Sequence, residues 1–79
     1  MPYIAIKGYP KDDATKCEIV EQVNEVFLKL WGCPQEAINI SVEEIPPEQW
    51  EERMERGEIL ANRDKMLIYG GKKLYGENG

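Results

Sequence analysis

The chain has 79 residues, 42% of them apolar, with 10 Lys and Arg against 15 Asp and Glu for a net charge of −5. A chain this short is expected to form one domain, residues 1–79, with a core that buries only about 60% of the unfolded surface. The acidic balance argues against nucleic acid and membrane surfaces as partners, and the lack of histidine excludes histidine-based catalysis and histidine-ligated metals.

The chain opens with the pattern of a β-strand. Ile4 and Ile6 alternate with less apolar residues between positions 2 and 9, and this period of two predicts a strand. Pro10 follows and ends it, because proline cannot continue the ladder of backbone hydrogen bonds.

A long amphipathic helix is predicted next, from Asp13 to Trp31. Asp12 is a favourable N-cap residue, and an acidic first turn suits the positive end of the helix dipole. Gly32 is suited to the left-handed position that ends many helices, and Pro34 prevents continuation. The apolar residues recur at steps of three and four, which is the helical period: Ile19, Val20, Val23, Val26, Phe27, Leu30 and Trp31.

Residues 38–43 form the second predicted strand, with Ile38, Ile40 and Val42 on one face. A strand, a helix and a strand joined by short connections form a β-α-β unit, so the strands should be parallel with a right-handed crossover. The fold class is therefore α/β, also describable as α+β. One helix covers only one face of such a sheet, whereas parallel sheets are covered on both. A second copy of the chain is expected on the open face.

The C-terminal part has a weaker pattern. Pro46 and Pro47 end the second strand, and residues 48–69 are predicted as one or two short helices interrupted at Gly57. Gly70 and Gly71 should end this helical segment, and residues 72–79 are expected to be a tail that packs against a neighbouring copy.

The two cysteines do not reinforce the small core. Cys17 and Cys33 flank the predicted helix, and 16 residues at 1.5 Å rise place them roughly 24 Å apart, beyond the ~7 Å that a disulfide allows. Two thiols without histidine also cannot complete a zinc site. No metal or cofactor is therefore expected, and oligomerisation remains as the means of completing the core. No apolar run approaches the ~20 residues of a membrane span, so a cytoplasmic location is expected.

The amino terminus is the strongest candidate for acid–base chemistry. Methionine is generally removed before a small residue such as proline, and removal of Met1 would give Pro2 a secondary amine at the start of a strand. An α-amino group has a pKa near ~8, and burial or a nearby cation would lower this pKa toward neutrality. A neutral amine can take a proton from one atom and return it to another. The alternative is an ordinary chain start.

The order of these features resembles the 4-oxalocrotonate tautomerase superfamily. The resemblance covers residues 2–50 and rests on Met-Pro-Tyr-Ile-Ala-Ile at the start, the capped helix, the Cys33-Pro34 turn, the Ile38-Asn39-Ile40 strand and the segment from Val42 to Trp50. The longer C-terminal part is more similar to a bacterial subgroup that acts on phenylpyruvate-type substrates. Members of that subgroup can be dimers, whereas the short members form hexamers, so a dimer is favoured here and a hexamer is the alternative.

The resemblance implies four site residues in a cofactor-independent isomerase. Pro2 matches the proton-transferring proline. Lys11, after a one-residue gap, falls where the archetype has an arginine that binds a substrate carboxylate. Asn39 replaces a second arginine that polarises the substrate carbonyl, which favours a monocarboxylate α-keto acid over the archetype's dicarboxylate. Trp50 falls on the aromatic wall of the site.

Other interpretations of these residues stay open at this stage. Lys11 can be a solvated loop lysine and Trp50 a core residue, while Arg53 or Arg56 could supply the charge of the missing arginines. Two other functions also remain. One is a non-catalytic assembly module in which Met1 is retained. The other is a hydratase, dehalogenase or decarboxylase of the same superfamily.

Overall fold

The computed structural model describes residues 1–76 and divides into two compact units, Met1–Pro46 and Pro47–Gly79. The first unit contains the predicted β-α-β arrangement. The second contains a helical segment and a short hairpin. Together they confirm a small α/β fold.

A two-stranded parallel sheet forms the base of the first unit. Strand β1 spans Tyr3–Gly8 and strand β2 spans Asn39–Glu44. Their register runs from the pair Tyr3 and Asn39 to the pair Gly8 and Glu44. Because the strands are parallel, their amino-terminal ends share one edge of the sheet and their carboxyl-terminal ends share the other.

The predicted long helix is confirmed between the two strands. Helix α1 spans Asp13–Val26, and a π-helical segment, Phe27–Trp31, continues it. The carboxylate of Asp12 caps the helix by accepting hydrogen bonds from the Thr15 backbone N–H (3.0 Å) and hydroxyl (2.7 Å). Gly32 ends the helix with φ of 75°, a conformation that favours glycine.

Replacing Asp12 by alanine is expected to lower the melting temperature by several degrees, because the first turn loses its cap. The Thr15 hydrogen bonds hold the pKa of Asp12 below its ordinary value of 3.8. The ionised cap therefore stabilises the fold above that pH, and this contribution is lost as the pH falls through the lowered pKa. Thermal melts at pH 7 and pH 2.5 check both points. Asp13→Ala, which removes an adjacent carboxylate but no cap, should have the smaller effect.

The single chain covers only part of the apolar side of helix α1. Val20, Val23 and Phe27 are half-buried. Leu30 is 83% exposed and Trp31 66% exposed, although the Trp31 ring stacks on Phe27 at 5.5 Å. The buried residues of this unit are instead Pro2, Ala37 and Ile45. An apolar face is therefore left open along the helix.

The second unit is more continuous than the sequence predicted. Helix α2 (Pro47–Trp50), a π-helical segment (Glu51–Glu58) and helix α3 (Ile59–Ala61) follow one another without a break. The predicted interruption at Gly57 is wrong. Gly57 lies inside the wide turn, where an added Cβ would lie 3.0 Å from the Glu52 carbonyl oxygen, so glycine allows the close approach.

The prediction of helix up to Tyr69 is also wrong beyond Ala61. Strands β3 (Ile68–Tyr69) and β4 (Lys72–Lys73) form an antiparallel hairpin. Gly70 and Gly71 have φ of 57° and 83° and form its turn, because glycine enters this region without strain. The predicted tail, residues 72–79, thus begins as a strand, and its last three residues lie outside the described part.

The described chain shows few other special features. Cys17 and Cys33 are free thiols. Within residues 1–76, no group of three or more cysteine and carboxylate residues is arranged to hold a metal ion. In the same part of the chain, no helix combines the length and apolar character required to cross a membrane.

Candidate active site

Pro2 lies at the edge of the sheet immediately before β1. The residue is buried, whereas Met1 is 93% exposed. The Pro2 carbonyl oxygen accepts a hydrogen bond of 3.2 Å from the Asn39 backbone N–H, which extends the parallel ladder by one residue. The ring is therefore held in a fixed position by the sheet.

Asn39 is the first residue of β2 and lies at the same edge as Pro2. Its side chain is exposed, and its Nδ2 donates a 3.3 Å hydrogen bond to the Ala37 carbonyl oxygen. That contact orients the amide from the short 3₁₀ turn, Gln35–Ala37, that precedes the strand. The structure thus brings together two of the four residues that the sequence indicated.

Lys11 lies at the opposite end of the sheet. Its backbone N–H donates a 3.0 Å hydrogen bond to Oε2 of Glu44, the last residue of β2. Six residues separate Pro2 from Gly8, the partner of Glu44, and at ~3.3 Å per residue this is about 20 Å. A small keto acid cannot span that distance, so Lys11 and Pro2 of one chain do not form one site.

Trp50 belongs to the second unit and is half-buried. It lines a cavity of about 380 Å³ together with Glu55, Ile59, Tyr69 and Gly70. This cavity has aromatic and aliphatic walls with one carboxylate, so it suits an apolar group.

The two arginines near Trp50 already have partners in the same helical segment. Arg53 Nη1 donates a 3.0 Å hydrogen bond to Gln49 Oε1, and Arg56 Nη2 forms a 2.6 Å ion pair with Glu51 Oε2. The Arg56 side chain is 72% exposed. Surface pairs of this kind are weak, so they do not prevent either arginine from binding an anion.

A small charge network surrounds the loop that carries Lys11. Hydrogen bonds from the Lys11 N–H and then from the Lys16 ammonium hold the pKa of Glu44 below its ordinary 4.5. The Lys16 pKa is raised, first by its hydrogen bond to Glu44 and then by that to Asp13. Glu44 therefore favours the folded loop above pH 4.5 and loses this effect as the pH falls through its lowered pKa. Lys16 contributes below pH 10.5 and ceases to as the pH rises through its raised pKa.

Glu44 did not emerge as a candidate from the sequence. The pairs Glu43-Glu44 and Glu51-Glu52 appeared to be solvated carboxylates, because adjacent residues of a strand point to opposite faces. One signal was available. In a parallel pair the end of β2 must lie beside the loop that leaves β1, so an acidic residue there can contact that loop.

Comparison with known proteins supports the family. Tautomerase PptA of Cronobacter sakazakii (strain ATCC BAA-894) is 26% identical to this chain over 76 residues, which cover 94% of this chain and 100% of the relative. The comparison supports the tautomerase superfamily as the family of this chain. No protein-family model matches the sequence. Similarity to a tautomerase over its full length agrees with the β-α-β unit and suggests an isomerase.

Proposed function

We propose that the protein is a cofactor-independent tautomerase that interconverts the enol and keto forms of a small α-keto acid. The observation that carries the proposal is the burial of Pro2 at the sheet edge beside Asn39. After removal of Met1, this position holds a rigid secondary amine next to a hydrogen-bond donor. Similarity to Tautomerase PptA supports the same reaction class.

In the proposed mechanism, the neutral Pro2 amine removes the proton from the enol hydroxyl. The electron pair moves through the enol to form the carbonyl, and the protonated amine returns a proton to the neighbouring carbon. The Asn39 Nδ2 donates to the developing oxygen anion, which lowers the barrier because the donor is already oriented by Ala37.

Lys11 binds the substrate carboxylate in this proposal, and it does so from a second copy of the chain. Within one chain it lies about 20 Å from Pro2 along the strand. A homo-oligomer, with a dimer favoured over a hexamer, is supported by the exposed apolar residues of the first unit's helix: Ile19, Val26, Leu30 and Trp31. Burial of such a face is what stabilises most small oligomers.

Trp50 contacts the apolar part of the substrate. Its cavity within the second unit, with Ile59 and Tyr69 as walls, has room for a six-membered aromatic ring. An aryl-substituted keto acid such as phenylpyruvate is therefore the proposed substrate class.

The second candidate is a non-catalytic assembly module in which Met1 stays attached. The open apolar face of helix α1 favours it as much as it favours an oligomeric enzyme. The state of the Pro2 nitrogen separates the two, because a retained Met1 turns the amine into an amide that cannot act as a base.

The test compares two forms of the protein in ketonisation of phenylenolpyruvate, followed by ultraviolet absorbance. One form has Met1 removed, as confirmed by intact mass, and the other carries a Gly-Ser extension before Pro2. The free amine should accelerate the reaction, and the extended form should lose at least about 100-fold in kcat/KM. Equal rates in the two forms, or none in either, would contradict the tautomerase and favour the assembly module.

A further inference from the structure

One carboxylate oxygen at the end of β2 organises the loop that leaves β1. Oε2 of Glu44 accepts a hydrogen bond from the Lys11 backbone N–H and a second from the Lys16 Nζ, each of 3.0 Å. Lys16 Nζ also lies 3.3 Å from Asp13 Oδ1. The loop is thereby joined to the strand on one side and to the first turn of helix α1 on the other.

The backbone beneath Glu44 is itself fixed. Glu44 pairs with Gly8 at the end of the parallel register, and the N–H of the following residue, Ile45, donates a 2.8 Å hydrogen bond to the Gly8 carbonyl oxygen. Ile45 is fully buried. A side chain on such a support can hold a flexible loop in one conformation, which is the requirement for a residue that orients another.

The contribution of Glu44 to stability is expected to be small. Its side chain is 38% exposed, and ion pairs near solvent are screened. Its charge is also balanced by Lys16, so Glu44 does not need the Lys11 ammonium as a counter-ion. What remains is the direct hydrogen bond to the Lys11 backbone, which sets where the Lys11 side chain begins.

We propose that Glu44 is a positioning residue, which holds the Lys11 backbone so that the Lys11 ammonium is placed to bind a substrate carboxylate. The inference rests on the proposed function and adds to it a residue that does not touch the substrate. Since a carboxylate contact is present in the ground state as well as in the transition state, its misplacement should raise KM rather than lower kcat.

The test measures ketonisation of phenylenolpyruvate by full-length protein without Met1, as wild type, Glu44→Ala, Glu44→Gln and the matched control Glu43→Ala. Glu43 precedes Glu44 on the same strand, and its carboxylate lies 3.7 Å from Lys7 Nζ. We expect Glu44→Ala to raise KM about three- to tenfold with kcat within about twofold. Glu44→Gln keeps a neutral acceptor and should recover about half of the change in log KM, while Glu43→Ala should match the wild type.

A second readout follows the loop directly. The amide proton resonance of Lys11 should shift upfield in Glu44→Ala because its charged acceptor is lost, and should keep its position in Glu43→Ala. If the alanine variant does not fold, the comparison of Glu44→Gln with Glu43→Ala provides the same two readouts.

The outcomes separate this inference from the proposed function. If the wild type is active and loses activity when the Pro2 amine is blocked, but Glu44→Ala and Glu43→Ala have equal KM, the tautomerase stands and the role of Glu44 is overturned. A fall in kcat at unchanged KM would overturn it too. If the free-amine wild type is inactive, the proposed function fails, and the inference fails with it.

Discussion

Replacing Pro2 by alanine is expected to lower kcat/KM for ketonisation of phenylenolpyruvate by about 100-fold, with the oligomer unchanged. Positioned acid–base groups contribute roughly 10²- to 10⁴-fold, and the lower end applies because alanine still presents an amine. That amine is primary and no longer has the φ angle fixed by the proline ring. It therefore samples positions away from the substrate. Stopped or steady-state ultraviolet assays of the enol measure the loss.

Two controls are needed for this variant. Intact mass must show that Met1 is absent from both proteins, because a retained Met1 would abolish the amine whichever residue follows. Size-exclusion chromatography with light scattering must show the same assembly, because the site is proposed to take Lys11 from a second copy. If the two proteins had equal rates under these conditions, Pro2 would not be the acid–base group.

The first unit was predictable because its signals are local and strong. The alternation around Ile4 and Ile6, the Asp12 cap and the left-handed Gly32 each specify one conformation with little competition. Together they determine the β-α-β order, and the order determines that the strands are parallel. The proximity of Pro2 and Asn39 follows from that topology, since both residues lie where a parallel strand begins.

The second unit was predicted less well because its signals conflict. Ile59 and Tyr69 can be placed on one stripe of a helix, yet the paired glycines after Tyr69 favour a tight turn between strands, and the turn prevails. Gly57 breaks the helical pattern by propensity, but the π-helical turn around it needs a residue without a side chain. Neither result can be derived from a period of three and four.

The contact of Glu44 with the Lys11 loop was beyond prediction for another reason. The parallel topology places the two residues at one edge, but the hydrogen bond depends on the rotamer of one exposed side chain and on the path of a four-residue loop. Periodicity carries no information on either. Contacts of this kind come from structure, whereas the elements that support them can be derived from sequence.

Replacing Asn39 by alanine is expected to lower kcat by about 10- to 100-fold while KM changes little. The amide is proposed to donate to an oxygen that carries more negative charge in the transition state than in the bound substrate, so its loss should appear in kcat. The expected effect is smaller than for a charged donor, because asparagine has no positive charge. Saturation kinetics with phenylenolpyruvate give kcat and KM separately.

Ser41→Ala is the matched control for this variant. Ser41 is exposed on the same face of β2, two residues further along, and pairs with Ala5 rather than with the start of β1. It should leave kcat unchanged. Loss of the Asn39 hydrogen bond to Ala37 could also loosen the strand, so Asn39→Asp is the second comparison: it keeps the size of the side chain but replaces the donor with a negative charge. A donor role requires Asn39→Asp to be at least as impaired as Asn39→Ala, whereas a purely structural role predicts that kcat follows the melting temperature across the three variants.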